Sequence, residues 1–164
     1  MKILILFFVS LMSMLPSMAQ LKTTAVCPPF EVDVLAGNVN KVSSPKSTLG
    51  EVKKAFPCPA EIVEETVSAT KCAGVFFKDL GIYFYTDRNY IEIAENFKGK
   101  LTPALMGADR SSLFKLLGYP KLKDISWEAF STEYGTLVVY YDKAGKINKL
   151  QISNKNTESL KLCE

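Results

Sequence analysis

The stretch VFFKDLGIYFYTDRNYIEI, running from Val75 to Ile93, carries the pattern that decides the fold. Leu80, Ile82 and Phe84 alternate with Tyr83 and Tyr85, which puts the first three on one face of a strand and the tyrosines on the other. Thr86, Asp87, Arg88 and Asn89 have turn composition, and the return segment repeats the split. Ile91 and Ile93 join the aliphatic face, while Tyr90 and Glu92 join the tyrosines. The expectation is a β-hairpin with one core face and one amphipathic, aromatic face.

Working outward, the hairpin needs a layer to cover its aliphatic side. Thr48 and Glu51 have capping-box spacing, and Leu49, Val52 and Phe56 share one helical face, predicting a short helix over 49–56 that stops at Pro57-Cys58-Pro59. Before it, Phe30–Leu35 alternates as a first strand and turns at Gly37-Asn38. The segment Glu61–Val67 reads as either a strand or a loop, and Asn96–Pro103 as a connection. Downstream, a register shift of 61 residues brings Asp109 onto Thr48, Leu113 onto Val52 and Leu117 onto Phe56, with a stop at Gly118-Tyr119-Pro120. A second hairpin follows, Gly135–Tyr141 and Ile147–Ile152 around the turn Asp142–Lys146. The predicted class is therefore α+β: two tandem helix–loop–β-hairpin units with antiparallel sheet packed on short helices and stapled by disulfides. The expected segments are 20–44 as an N-terminal strand region, 45–106 as the first unit, 107–154 as the second, and 155–164 as a tail tied by Cys163.

Residues 1–19 combine Lys2, an apolar run from Ile3 to Leu15 and the small-residue ending Ser17-Met18-Ala19, the pattern of a secretory signal peptide cut after Ala19. The run is shorter than the roughly 18–20 residues a membrane span needs, so no integral span is expected after cleavage. A periplasmic or secreted destination follows. Twenty Lys and Arg against seventeen Asp and Glu, spread along the chain, argue against nucleic acid as a partner. The four cysteines all lie beyond the signal, and an even count in an exported chain reads as a disulfide framework. Three pairings are possible; Cys58–Cys72 with Cys27–Cys163 is favoured, the first closing a local loop and the second tying the ends.

Two tandem units of helix, proline-terminated loop and hairpin in a disulfide-bonded exported chain resemble the secreted β-lactamase-inhibitor proteins and the BamE-type envelope-assembly modules. Leu80-Gly81-Ile82-Tyr83-Phe84-Tyr85 followed by Phe97-x-Gly99-x-Leu101 also resembles an uncharacterised bacterial domain. The likeness covers roughly residues 45–154 and implies no catalytic motif. The lipobox of BamE is missing. A Cys58–Cys72 link would match a disulfide of the inhibitor family in placement, whereas a Cys27–Cys58 link would break that alignment.

The chain contains no histidine, which removes the commonest nucleophile–base pairs and makes a zinc site with these cysteine spacings a poor reading. No metal or cofactor is expected. Glu64-Glu65, Asp79, Asp87, Glu92 and Glu95 offer carboxylates for acid–base work of the glycosidase kind, but none stands in a motif, and solvated edge and turn positions account for them. Asp142-x-x-Gly145 lacks the dense oxygen ligands of a calcium loop, and Gly-rich phosphate loops are absent. The feature left to carry function is the second sheet face: Tyr83, Tyr85 and Tyr90, joined by Leu137, Val139 and Tyr141 of the second unit. Tyrosines of this kind suit a protein interface, unless a helix or the N-terminal strand covers the face and makes them core. Trp127, in the expected loop Lys123–Thr132 with Phe130, is either a contact anchor or a plug for the core. The expected function is an exported, non-enzymatic module that binds another protein, in the manner of an inhibitor or immunity protein. The alternatives are a structural envelope-assembly factor of BamE type and, third, a carboxylate-dependent hydrolase.

Overall fold

The computed structural model describes residues 27–64 and 72–163. The expected signal peptide, its cleavage site and Glu65–Val67 lie outside the described residues. An eight-stranded antiparallel sheet dominates, in the order β3-β4-β5-β6-β11-β10-β9-β8. Its strands are β3 (Glu61–Val63), β4 (Gly74–Phe77), β5 (Ile82–Tyr85), β6 (Tyr90–Ile93), β8 (Leu122–Lys123), β9 (Trp127–Thr132), β10 (Gly135–Tyr141) and β11 (Ile147–Ser153). A small second sheet holds β1 (Glu31–Asp33), β2 (Asn38–Val39) and β7 (Lys100–Thr102). Among the described residues there are two α-helices, α1 (Leu49–Ala55) and the single turn α2 (Phe114–Leu117), besides short 3-10 turns. The class is thus mainly antiparallel sheet with little helix.

The central hairpin forms as its alternation dictates. Ile82 faces Ile93 and Phe84 faces Ile91 across β5 and β6, and Tyr85 faces Tyr90. Asn89 takes a left-handed φ of 57° in the turn, a conformation its short polar side chain tolerates. Gly81, with φ of 68°, sets the bend into β5; a Cβ there would lie 2.6 Å from the Phe97 backbone nitrogen, so only glycine fits. The capping box at α1 also forms: Thr48 Oγ1 accepts from the Glu51 N–H at 3.3 Å and Glu51 Oε2 accepts from the Thr48 N–H at 2.8 Å.

The first strand meets α1 over the aliphatic face. Phe30 lies 4.7 Å from Phe56 and 5.0 Å from Phe77, ring centroid to centroid, and Phe56 lies 5.6 Å from Phe84. Val52, Ile93, Leu137, Leu150 and Ile152 fill the same buried cluster, so one continuous core runs beneath the whole sheet. β1 pairs in parallel with β7, so Asn96–Pro103 is more than a connection.

Three expectations are corrected. Cys27 bonds to Cys58, and Cys72 to Cys163, in place of Cys58–Cys72 and Cys27–Cys163. Cys27 leads into β1 and Cys58 follows α1, and these two elements share a layer through Phe30 and Phe56. The tail crosses to the opposite face and meets Cys72 there. The pairing removes the disulfide that likened the chain to the inhibitor family. Second, Trp127–Thr132 is a strand, not a loop; Glu128 occupies an inward position and hides its alternation. Third, the second helix shrinks to a 3-10 turn at Arg110–Ser112 and one α turn, and Asp109 makes no cap but pairs with Lys146 Nζ at 2.9 Å.

Candidate functional site

Strand register places Glu61, Phe76, Tyr83, Glu92, Gln151, Val138, Ala129 and Leu122 in one row across the second face of the large sheet. Tyr85, Tyr90 and Ser153 share a neighbouring row. The aromatic character of this face at the β4–β6 end is real: Phe76 sits 5.0 Å from Tyr85, and Tyr85 stacks on Tyr90 at 4.4 Å with 16° between planes. In the middle, the Tyr140 hydroxyl donates to Gln151 Oε1 at 2.9 Å and Gln151 Nε2 donates to Glu92 Oε2 at 2.7 Å. Lys149 Nζ lies 4.0 Å over the Tyr140 ring and 3.8 Å from Glu92.

Among the described residues neither a helix nor the N-terminal strand covers this face; the C-terminal tail does so in part. Thr136 Oγ1 donates to the Lys155 carbonyl at 2.7 Å, fixing the start of the tail. Thr157, Leu160 and Leu162 then border an open cleft of about 270 Å³ with Leu122, Trp127, Ala129, Val138 and Tyr140. At the end the Cys163 N–H donates to the Tyr90 hydroxyl oxygen at 3.1 Å, and the disulfide to Cys72 closes the strap. Tyr90 is consequently buried, while Tyr83 and Tyr85 remain partly exposed. Trp127 packs at the strap, half-way between plug and anchor.

Tyr141, together with Leu137 and Val139, points the other way, into the core. The residues of β10 on the aromatic side are Thr136, Val138 and Tyr140, one position out of step with expectation. Tyr141 belongs to a different group. Its hydroxyl donates to Glu128 Oε2 at 2.6 Å, and Arg110 Nε and Nη2 donate to Glu128 Oε1 at 2.9 and 2.8 Å. The guanidinium lies 4.7 Å over the Tyr141 ring and also donates to the Asp124 and Ile125 carbonyls at 3.1 and 3.3 Å. One arginine thereby fastens the loop between β8 and β9 to the core.

The electrostatics of the strapped face appear in its phenols. Burial first, and the Glu92 carboxylate second, push Tyr85 up to about 12, and the same two causes raise Tyr140. Burial raises Tyr90 further. These phenols hold their protons more tightly in the folded chain than in the unfolded one. Their contribution to stability is whole below the ordinary phenol value of about 10 and is lost as pH rises through the folded values. The melting temperature is expected to fall steadily above pH of about 10, with the tyrosinate absorbance of these residues appearing only on unfolding. A flat melting temperature through that range would contradict the burial of Tyr85 and Tyr90.

A surface that the alternation pattern did not reveal lies at the β8 edge. Tyr119 and Ile125 are 81% and 91% exposed, and Phe114, Leu116 and Leu122 are exposed nearby. Phe114 meets Tyr119 edge-on at 4.6 Å beside a cleft of about 230 Å³ that includes Arg110 and Lys123. The signal was an apolar stretch, Leu116–Ile125, with neither strand nor helix period but with interspersed lysines. A second cleft, of about 360 Å³, opens at the opposite end between Glu61, Phe76, Lys78 and Leu80, with Lys78 ion-paired to Glu61 across it. Among the carboxylates, Glu92 is held by Gln151 and Lys149, and Asp79 is exposed on the 3-10 turn beside this cleft. Cys72, Asp87 and Cys163 come together, but with both sulfurs bonded to each other they offer one carboxylate rather than a cation site. Among the described residues no helix is long and apolar enough to cross a membrane. The two disulfides fit an oxidising compartment. No protein-family model, curated protein or solved structure matches the chain.

Proposed function

We propose that this chain is an exported, non-enzymatic module that binds another protein through the aromatic end of its large sheet. The observation that carries the reading is the ordered cluster of Phe76, Tyr83 and Tyr85. Its tyrosines remain partly exposed where the strap leaves them, next to the cleft rimmed by Glu61 and Lys78. Rigid tyrosines offer large contact area with few torsions to freeze, and an adjoining recess gives a partner's side chain a place to anchor. Tyr90 and Tyr141 are left out of this surface because both are buried. The mirrored strand order, β3-β4-β5-β6 against β8-β9-β10-β11, supports reading the two halves as tandem copies, although the Cys27–Cys58 link breaks the alignment with the inhibitor family. Function as a structural envelope-assembly factor is the second reading, favoured by the separate exposed surface around Tyr119 and Ile125. The hydrolase reading gains nothing from Glu92, whose carboxylate is already occupied.

The test is affinity capture from the envelope fraction of the producing cells, using oxidised mature protein tagged ahead of Cys27. A single stoichiometric protein is expected, and Tyr83→Ala should weaken its capture about tenfold. The melting temperature of this variant should stay within about 5 °C of the parent, since Tyr83 is not core. Capture of nothing, or capture indifferent to Tyr83→Ala, refutes the assignment.

A further inference from the structure

We infer that the β8 edge of the molecule docks on an anionic lipid surface, with Phe114, Tyr119, Leu122 and Ile125 entering the interface and Lys115, Lys121 and Lys123 supplying the attraction. Large exposed hydrophobic side chains scattered singly need no explanation, but here five of the eight among the described residues fall within residues 114–125. Ile125 is 91% exposed, and Tyr119, 81% exposed, meets Phe114, which is itself exposed, so burial in the core accounts for neither.

Ile125 is also held out, not merely left out. Arg110, anchored on Glu128, grips the Asp124 and Ile125 carbonyls, and the Asp124 N–H donates to the Trp127 carbonyl at 2.8 Å. Asp124 Oδ1 accepts the Ile125 N–H at 2.5 Å, so the one acidic group of the segment, though exposed, is engaged by its own backbone. The loop tip is therefore presented in a fixed shape, which spares the ordering cost of insertion.

Charge decides between a membrane and a protein as the occupant. Lys115, Lys121 and Lys123 are exposed among these apolar residues, with Asp124 the only carboxylate from 114 to 125. The cores of protein–protein interfaces are depleted in lysine, whereas surfaces that rest in the headgroup region combine lysine with aromatic and aliphatic residues. At the opposite edge of the sheet Glu61 is ion-paired to Lys78 and Glu64 stands beside exposed Ile62, so the described residues there carry no excess of cations. An anionic surface would therefore draw the β8 edge toward it in preference to the β3 edge. This inference does not depend on a protein partner at Tyr83.

Vesicle sedimentation of the oxidised mature protein tests it, comparing phosphatidylcholine vesicles with vesicles containing about 30% phosphatidylglycerol. Binding to the anionic vesicles is expected, weakening at about 0.5 M salt as the Debye length shortens. Ile125→Asp should lower it at least about tenfold. Lys121→Gln combined with Lys123→Gln should lower it about 25-fold. Ile62→Asp at the other edge should leave binding unchanged. Tyr119→Ala repeats the readout should Ile125→Asp fold poorly. The inference is overturned if anionic vesicles bind no protein at low salt, if Ile125→Asp and Tyr119→Ala both bind like the parent, or if Ile62→Asp weakens binding equally. Patch variants that lose a captured protein yet keep lipid binding would also overturn it and assign the edge to a protein partner.

Discussion

Replacing Cys72 and Cys163 together by serine is expected to remove about 4–5 kcal/mol of stability on the chain-entropy model of disulfide cross-links. The bridge spans 91 residues, so the unfolded chain gains much freedom when it is absent. That is a large share of the roughly 5–15 kcal/mol that holds a domain of this size together. The native state changes as well. The strap carrying Leu160 and Leu162 loses its anchor, Tyr90 loses the Cys163 N–H, and Val138, Ala129 and Trp127 gain access to water. Trp127 fluorescence in the folded state should shift to the red, while the pair Cys27→Ser and Cys58→Ser, costing about 3–4 kcal/mol, should leave it in place. A loss below about 1 kcal/mol, or equal tryptophan shifts in the two double variants, would refute the strap as described.

Removing the carboxylate at the centre of the second polar group should have the next largest effect. Glu128→Ala is expected to cost about 2–3 kcal/mol, because it strands the Tyr141 hydroxyl inside the core and the Arg110 guanidinium beside it. The figure is at the lower end for a broken buried pair, since Arg110 is 37% exposed and water can recover part of its charge. Glu128→Gln keeps an acceptor for Tyr141 and should cost less. Urea titration decides the matter, with the midpoint falling and the slope unchanged. A change under about 0.5 kcal/mol would mean that the Arg110–Glu128–Tyr141 group contributes no net stability.

Much of the first half of the fold was legible because its local rules agree with one another. Thr48 and Glu51 announce the helix, the alternation around Phe84 announces the hairpin, and Asp142 announces a turn, its Oδ1 accepting the Ala144 and Lys146 N–H groups at 2.8 Å. The misreadings arise where a distant partner overrides the local pattern. Glu128 breaks the apolar alternation of β9 because Arg110 and Tyr141 satisfy it from elsewhere. Tyr141 lies on the face opposite to the one its sequence suggests because nothing local fixes the register of β10, which its pairing with β9 and β11 sets across the sheet. The cysteine pairing depends on which face the tail crosses, and no feature of the tail's own sequence records that. Tyr83, Tyr85 and Tyr90 form one aromatic face as read, but which of them is accessible is decided by residues some seventy positions later.

The seam between β6 and β11 has a consequence for how the protein is made. β6 has β5 on one side and, on the other, pairs with β11, whose residues Leu150–Ser153 follow it by some sixty positions. During synthesis β3–β6 therefore emerge with an edge that has nothing to pair with until β11 has been made. Such an edge invites association between incomplete chains, and pairing of such distant segments is slow. A chain cut short between Ile93 and Ile147 would keep that edge permanently open, so a quality-control protease recognising unpaired strands would find its target in such copies.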